Sequence, residues 1–169
     1  MHVDSLSDAE FDKPALPTGL NILTILTFIG SAIQLIFSLM GFFGAEKSYN
    51  EKDKMLAQMS SGEMPGWLKS MMPDPAVYEE MVTKSFENRL PILLLTLVAT
   101  GLCIYGAMQM RKLKKQGYII YVIGELLPFA TSALFLGMFA FSGFWFAVGT
   151  GVAILFILLY TLQRKHLIY

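Results

Sequence analysis

Four long runs of apolar residues alternate with polar connections along this chain. They cover residues 20–44, 90–110, 118–140 and 144–163. Each run is close to the roughly 20 residues that an α-helix needs to cross the ~30 Å hydrocarbon core of a bilayer. A soluble domain of this size does not carry four such runs. The pattern predicts an all-α integral membrane protein, a four-helix bundle with a partly helical extracytoplasmic segment between helices 1 and 2.

The connection 111–117 orients these predicted spans. It has no acidic residue, and its basic side chains are Arg111, Lys112, Lys114 and Lys115. Short basic connections stay in the cytoplasm. Both ends of the chain, an acidic tail 1–19 and a tail 164–169, are therefore expected inside, with the segment 45–89 and the turn 141–143 outside. The four basic side chains are also candidate contacts for anionic lipid head groups.

The residues before the first run do not look like a secretory signal. Asp4, Asp8, Glu10 and Asp12 precede it, whereas a signal peptide begins with basic residues and has a shorter apolar core. The first run is therefore expected to remain as a membrane span. The layout resembles that of small four-span bacterial membrane proteins, which implies a place in the bacterial cytoplasmic (inner) membrane.

The composition argues against most catalytic and metal-binding functions. The 169 residues are 54% hydrophobic, carry no formal net charge, and include one cysteine and two histidines. A lone Cys103 forms no intrachain disulfide and no cysteine-based metal site. Hydrolase, metalloprotease and phosphate-loop motifs are missing from the sequence. We therefore expect no enzymatic activity, no cofactor, no metal and no nucleic acid partner.

The predicted outer segment 45–89 is rich in methionine. Residues 51–60 read as a short helix, and Asp74 before Pro75 predicts a second one that the Asp74 carboxylate caps. Thioether sulfurs bind Cu(I), but no histidine or cysteine accompanies them, so adaptable contact with a partner is the favoured interpretation. The candidate contact residues are Met55, Met59, Trp67, Met71 and Met72.

Polar and small residues recur at helical spacing inside the runs. The stripe in the first run comprises Thr24, Thr27, Ser31, Gln34, Ser38 and Gly41. A stripe in the second comprises Thr96, Ala99, Thr100, Cys103, Gly106 and Ala107. In the fourth, Ala147 with Gly151 and Gly149 with Ala153 are small-xxx-small pairs. Such faces allow close helix packing in lipid, and they are compatible with either a compact bundle or a hydrated pathway.

Glu125 is the one acidic residue inside the four runs. It shares a helical face with Tyr118, Tyr121, Pro128 and Ser132. Pro128 has no N–H, which frees the carbonyl of Gly124 beside the acid. Intramembrane carboxyl groups are functional candidates. A neutral Glu125 bonded to Tyr121, or one reaching toward Arg111 or Arg164, is the structural alternative.

The predicted function is that of a non-enzymatic accessory or assembly subunit. Its partners would be the lipid bilayer and other membrane proteins or further copies of the chain, reached through the bundle and the methionine-rich segment. The alternative is a small proton-coupled transporter or channel-like oligomer. That alternative uses an intramembrane polar site made of Glu125, Tyr121, Ser132, Gln34 and Ser31.

Overall fold

The computed structural model describes residues 15–62, 64–137, 141 and 144–169. This part of the chain is helical and contains no strand. Four of its helices are long and apolar enough to span a membrane. The elements are α1 (Thr18–Asn50), α2 (Lys52–Ser61), α3 (Gly66–Lys69), α4 (Pro75–Glu87), α5 (Arg89–Arg111), α6 (Lys115–Thr131) with a π-helical turn (Ser132–Leu136), and α7 (Phe144–Gln163) with a 3-10 turn (Arg164–His166).

The predicted and observed spans agree best for α5 and α7. Helix α1 differs, because it continues to Asn50, six residues beyond the predicted end of the first span at 44. Helix α6 continues only through its π-helical turn, and Gly137 follows with φ +86°. This positive φ with a ψ of −177° is open to glycine and does not continue a helix. Most of the predicted tail 1–19, and residues 138–140 and 142–143, lie outside the described residues.

Helices α5 and α6 form the tightest contact of the fold, because glycines bring their backbones together. A Cβ added to Gly106 would lie 2.7 Å from the carbonyl oxygen of Gly117 and from the amide nitrogen of Tyr121. A Cβ added to Gly124 would lie 2.8 Å from the sulfur of Cys103. Real Cβ atoms do not approach that closely, so only glycine fits at these crossings. The predicted small face of the second span is therefore the face that α6 covers.

Helix α1 packs against α5 through the N-terminal half of its polar stripe. Thr24, Thr27 and Ser31 are buried, whereas Gln34 and Ser38 are half-buried and Gly41 is exposed. The Thr24 hydroxyl donates to the carbonyl of Asn21 and accepts from Arg111 Nη1 at 3.0 Å. The stripe is thus buried in the N-terminal half of α1 and becomes more exposed toward the C-terminal end of the helix.

The basic connection and the C-terminal tail meet at one end of the molecule. The amides of Ile168 and Tyr169 donate to the carbonyl of Leu113 at 2.9 and 3.1 Å. Leu113, with φ +56°, and Leu167 are both buried there with Leu20 and Met110. Gly19 also lies at this end, against the side chain of Gln163. One small apolar cluster therefore joins the start of α1, the α5–α6 connection and the end of α7.

The segment between α1 and α5 is helical and folds onto the projecting end of α1. Tyr49 of α1 stacks on Phe86 of α4 with ring centroids 4.6 Å apart. Helix α2 matches its predicted range closely. The capping prediction for α4 was wrong in one respect. Pro75 occupies the first turn, but the Asp74 side chain makes no capping hydrogen bond, and the backbone carbonyl of Asp74 accepts from Tyr78 instead.

The glycine contacts give a direct test of the fold. We expect Gly106→Ala to lower the free energy of unfolding by about 1–3 kcal/mol, because the added methyl overpacks a backbone contact. Gly101→Ala is the matched control on the same helix, since its Cβ would meet no atom within 4 Å. The control should be neutral or stabilising by up to ~1 kcal/mol, from helix propensity alone. Unfolding in mixed detergent and dodecyl sulfate micelles, followed by circular dichroism, measures both; equal effects would contradict the packing described.

Candidate functional site

Glu125 lies in the interior of the helix bundle, half-buried on α6. Its Oε2 accepts from the Cys103 thiol of α5, with sulfur and oxygen 3.7 Å apart. Tyr121, one turn before it on α6, is buried at 2% exposure. Among the described residues, the ion pairs all lie in the segment from α1 to α5 outside this region. The carboxyl group is therefore surrounded by neutral polar groups, and its predicted reach toward Arg111 or Arg164 is not seen.

Two cavities meet at this carboxyl group. A cavity of about 350 Å³ extends between α6 and α7, where Ser132 and Thr150 contribute hydroxyl groups. A second, of about 210 Å³, extends toward α1 and is lined by Ser31 and Tyr121. Their shared residues are Gln34, Cys103 and Glu125. Polar groups around a space of this size offer hydrogen-bond partners to water or to a small polar solute.

The structure brings together all five residues of the predicted intramembrane site. Each of them borders one or both of these cavities: Glu125, Tyr121, Ser132, Gln34 and Ser31. Pro128 also lines the larger cavity with Gly124. Since Pro128 has no amide proton, the Gly124 carbonyl keeps acceptor capacity next to the acid.

Three participants were not predicted from the sequence. Cys103 is a direct neighbour of the acid, although its position in the small face of α5 indicated only packing. The Thr150 hydroxyl is buried without a hydrogen-bond partner in the described structure. Tyr160 of α7 shares a buried 2.8 Å hydrogen bond with Thr27, and its ring lies 4.5 Å from that of Tyr121. The spacing of polar residues within one helix does not predict which residues of two different helices will contact each other.

The predicted methionine surface is only partly available to a partner. Met59 is buried at 6% exposure and lines a small internal cavity with Met64 and Met72. Met55 and Met71 are half-buried. Trp67 is 66% exposed and is the open member of the predicted set. This part of the segment between α1 and α5 therefore uses most of its methionines to pack on itself.

The predicted head-group residues surround the end of the molecule where α5, α6 and the tail meet. Lys112, Lys114 and Lys115 are exposed. Arg111 is also exposed but has its internal partner in Thr24. Arg164 lies over the ring of Tyr118, 5.4 Å from its centroid. This end presents a positive surface, as anionic head groups require.

Comparison with known proteins identified no relative of this chain. No protein-family model, curated protein or solved structure matches the chain. Within the described residues, no three His, Cys, Asp or Glu side chains are grouped closely enough to hold a metal ion.

The interhelical hydrogen bond of Tyr160 can be tested by a double-mutant cycle. We expect Thr27→Val and Tyr160→Phe to show a coupling energy of about 0.6 kcal/mol, the average for such bonds between membrane helices, and at most about 1.7 kcal/mol. The control cycle pairs Tyr160→Phe with Ser38→Ala, because the Ser38 hydroxyl donates to Leu35 within its own helix. That cycle should be additive. Coupling of the same size in both cycles would contradict a specific bond.

Proposed function

We propose that α1, α5, α6 and α7 cross a bacterial cytoplasmic membrane with both ends of the chain inside. The support is the density of basic residues. The connection 111–117 has four basic residues in seven positions and no acidic one, and it lies at the same end as Arg164 and Lys165. The segment 45–89 at the other end has six basic residues, but they are spread over 45 positions and mixed with eight acidic ones. Short connections with basic residues remain on the cytoplasmic side.

The proposed role of the protein is that of an accessory or assembly subunit for other membrane proteins. The observation that carries it is the exposed surface of α7. Of its apolar 18-residue stretch, 11% is buried inside the structure, against 17% for α6, 22% for α1 and 28% for α5. Its buried residues, Ala153 and Tyr160, lie in its middle and near its C-terminal end. Most of the surface of α7 is therefore free to contact another helix.

The exposed surface of α7 also has the composition that close helix contacts use. Ala147 and Gly151 are exposed and four residues apart, and a Cβ on Gly151 would meet no atom within 4 Å. Small residues four apart let a second helix approach to backbone distance, where dispersion contacts and weak hydrogen bonds hold the pair. The glycines of α5 and α6 already use this device within the chain, whereas Gly151 does not.

Purification from the native membrane in a mild detergent tests this role. We expect a stoichiometric membrane-protein partner, identified by mass spectrometry, and a loss of at least ~10-fold in its recovery with Gly151→Leu. The matched control is Val148→Leu, which adds bulk at an exposed position to the side of the small pair. Recovery of the chain alone, from the wild type as from both variants, would contradict the accessory role.

Transport is the second candidate, and the two cavities at Glu125 favour it. Gln34 and Glu125 border both, so a polar path extends from α1 to the space between α6 and α7. A carboxyl group in such a place can carry a proton between two hydrated spaces. A small proton-coupled transporter or channel-like oligomer would use the Glu125 carboxyl group in this way.

Flux measurements separate the two roles. If the chain transports protons, Glu125→Gln should abolish proton flux into proteoliposomes, because an amide neither binds nor releases a proton. Glu87→Gln makes the same chemical change at an exposed position of α4 and should leave flux unchanged. In an accessory subunit, Glu125→Gln should leave partner recovery unaltered. Wild-type liposomes without flux would eliminate transport.

A further inference from the structure

A further cavity lies at the end of α1 that projects toward α4, and it shares Gln34 with the two cavities at Glu125. Its volume is about 530 Å³, within the ~300–1,000 Å³ typical of small-molecule sites. It is bounded by α1, α4, the first turns of α5 and the π-helical turn after α6. Along α1 it extends from Ser48 to Gln34, a rise of about 21 Å at 1.5 Å per residue. The cavity is a long groove rather than a compact pocket.

The wall of this groove is mostly apolar. Its main side chains are Phe37, Phe42, Met81, Val82, Ile92 and Leu93. Two hydroxyl groups in the wall are occupied by their own helices, because Ser38 donates to the carbonyl of Leu35 and Thr96 to that of Ile92. Burial raises the pKa of Tyr78, so this phenol stays neutral in the wall. Such a surface suits a hydrocarbon chain.

One cation, Arg89, also borders the groove, at the first residue of α5. Its guanidinium lies 5.0 Å from the ring centroid of Phe86 and 5.7 Å from that of Phe42. The two rings hold it at the end of the apolar wall. Its ion pair in the described structure is a 3.7 Å approach to Glu46, whose side chain is 66% exposed. A pair that long, between exposed groups, contributes little.

The Arg89 guanidinium therefore has N–H donors available to bind a ligand. It carries five N–H bonds in a planar fork, a geometry that matches both oxygens of a carboxylate or two of a phosphate. The two rings lie beside the guanidinium and use none of these donors, because their contact is with its charge. Among the charged side chains of the described structure, Arg89 is the one that borders the groove. A ligand complementary to it is thus negative at one end and apolar along the rest.

We propose that this groove binds a single-chain anionic amphiphile, with its carboxylate or phosphate on Arg89 and its acyl chain along α1 toward Gln34. The anionic group supplies the selectivity, because a hydrocarbon tail is about as well solvated by bilayer lipids as by the groove. The same chemistry is offered by a free fatty acid and by a lysophospholipid. The site includes no residue of α7, and its inner end at Gln34 adjoins the cavities at Glu125.

Native mass spectrometry of the full chain in detergent tests the proposal with three probes of equal chain length. They are palmitate, 1-palmitoyl lysophosphatidic acid and hexadecan-1-ol. We expect at least one anionic probe to bind ~10-fold or more tightly than the alcohol, which has the same tail without the charge. Binding of palmitate alone identifies a fatty-acid site, and binding of the phosphate probe alone identifies a lysophospholipid site. Equal binding of all three would overturn the proposal.

Two pairs of variants locate the ligand. Arg89→Gln should reduce binding of the anionic probe to the level of the alcohol, whereas Arg89→Lys should retain part of the difference, because it keeps the charge and loses the fork. Gly41 lines the groove and its Cβ would meet no atom within 4 Å, so Gly41→Phe should place its ring in the groove and abolish binding.

Gly44→Phe is the control for Gly41→Phe. Gly44 is on the same helix, its Cβ would also meet no atom within 4 Å, and it does not line the groove. This control should bind the probes like the wild type. Circular dichroism of each variant checks that it is folded. Unchanged binding in Arg89→Gln, or in Gly41→Phe, would show that the amphiphile sits elsewhere and would overturn the proposal.

Discussion

The backbone contact between α5 and α6 is the constraint on which the rest of the structure depends. Lipid tails are as apolar as leucine, so helices in a bilayer gain little by hiding apolar side chains from it. Gly106, Gly117 and Gly124 replace that missing drive with direct backbone approach. The same contact places Cys103 against Glu125, because Gly124 immediately precedes the acid. The three glycines therefore bring the acid of α6 next to the polar groups of α5.

The sequence predicted the spans and the inward faces because both depend on periodicity within one helix. Apolar runs near 20 residues set the four spans, and residues recurring every three or four positions identified the buried side of α5. The extent of burial along α1 was harder to predict. Its stripe looks uniform from Thr24 to Gly41, yet burial ends near Ser31, since α5 and α7 cover only the first half.

Contacts between distant segments could not be predicted from the same patterns. The approach of Cys103 to Glu125 and the bond between Thr27 and Tyr160 depend on helix crossing angles, which small residues permit but do not specify. The burial of Met59 depends on how α2 and α3 fold back, which the glycines and prolines near residue 64 leave open. The apolar groove at Arg89 likewise requires four elements to meet, and none of them is unusual alone.

Helix α1, with its 33 residues, is about 50 Å long, some 20 Å more than a bilayer core. Helix α4 stacks along that surplus, and a single residue, Asn88, separates α4 from α5. The segment between α1 and α5 is therefore anchored at both of its ends, on the surplus of α1 and on the first turn of α5. Any movement of α4 along α1 has to be accommodated at this one-residue junction.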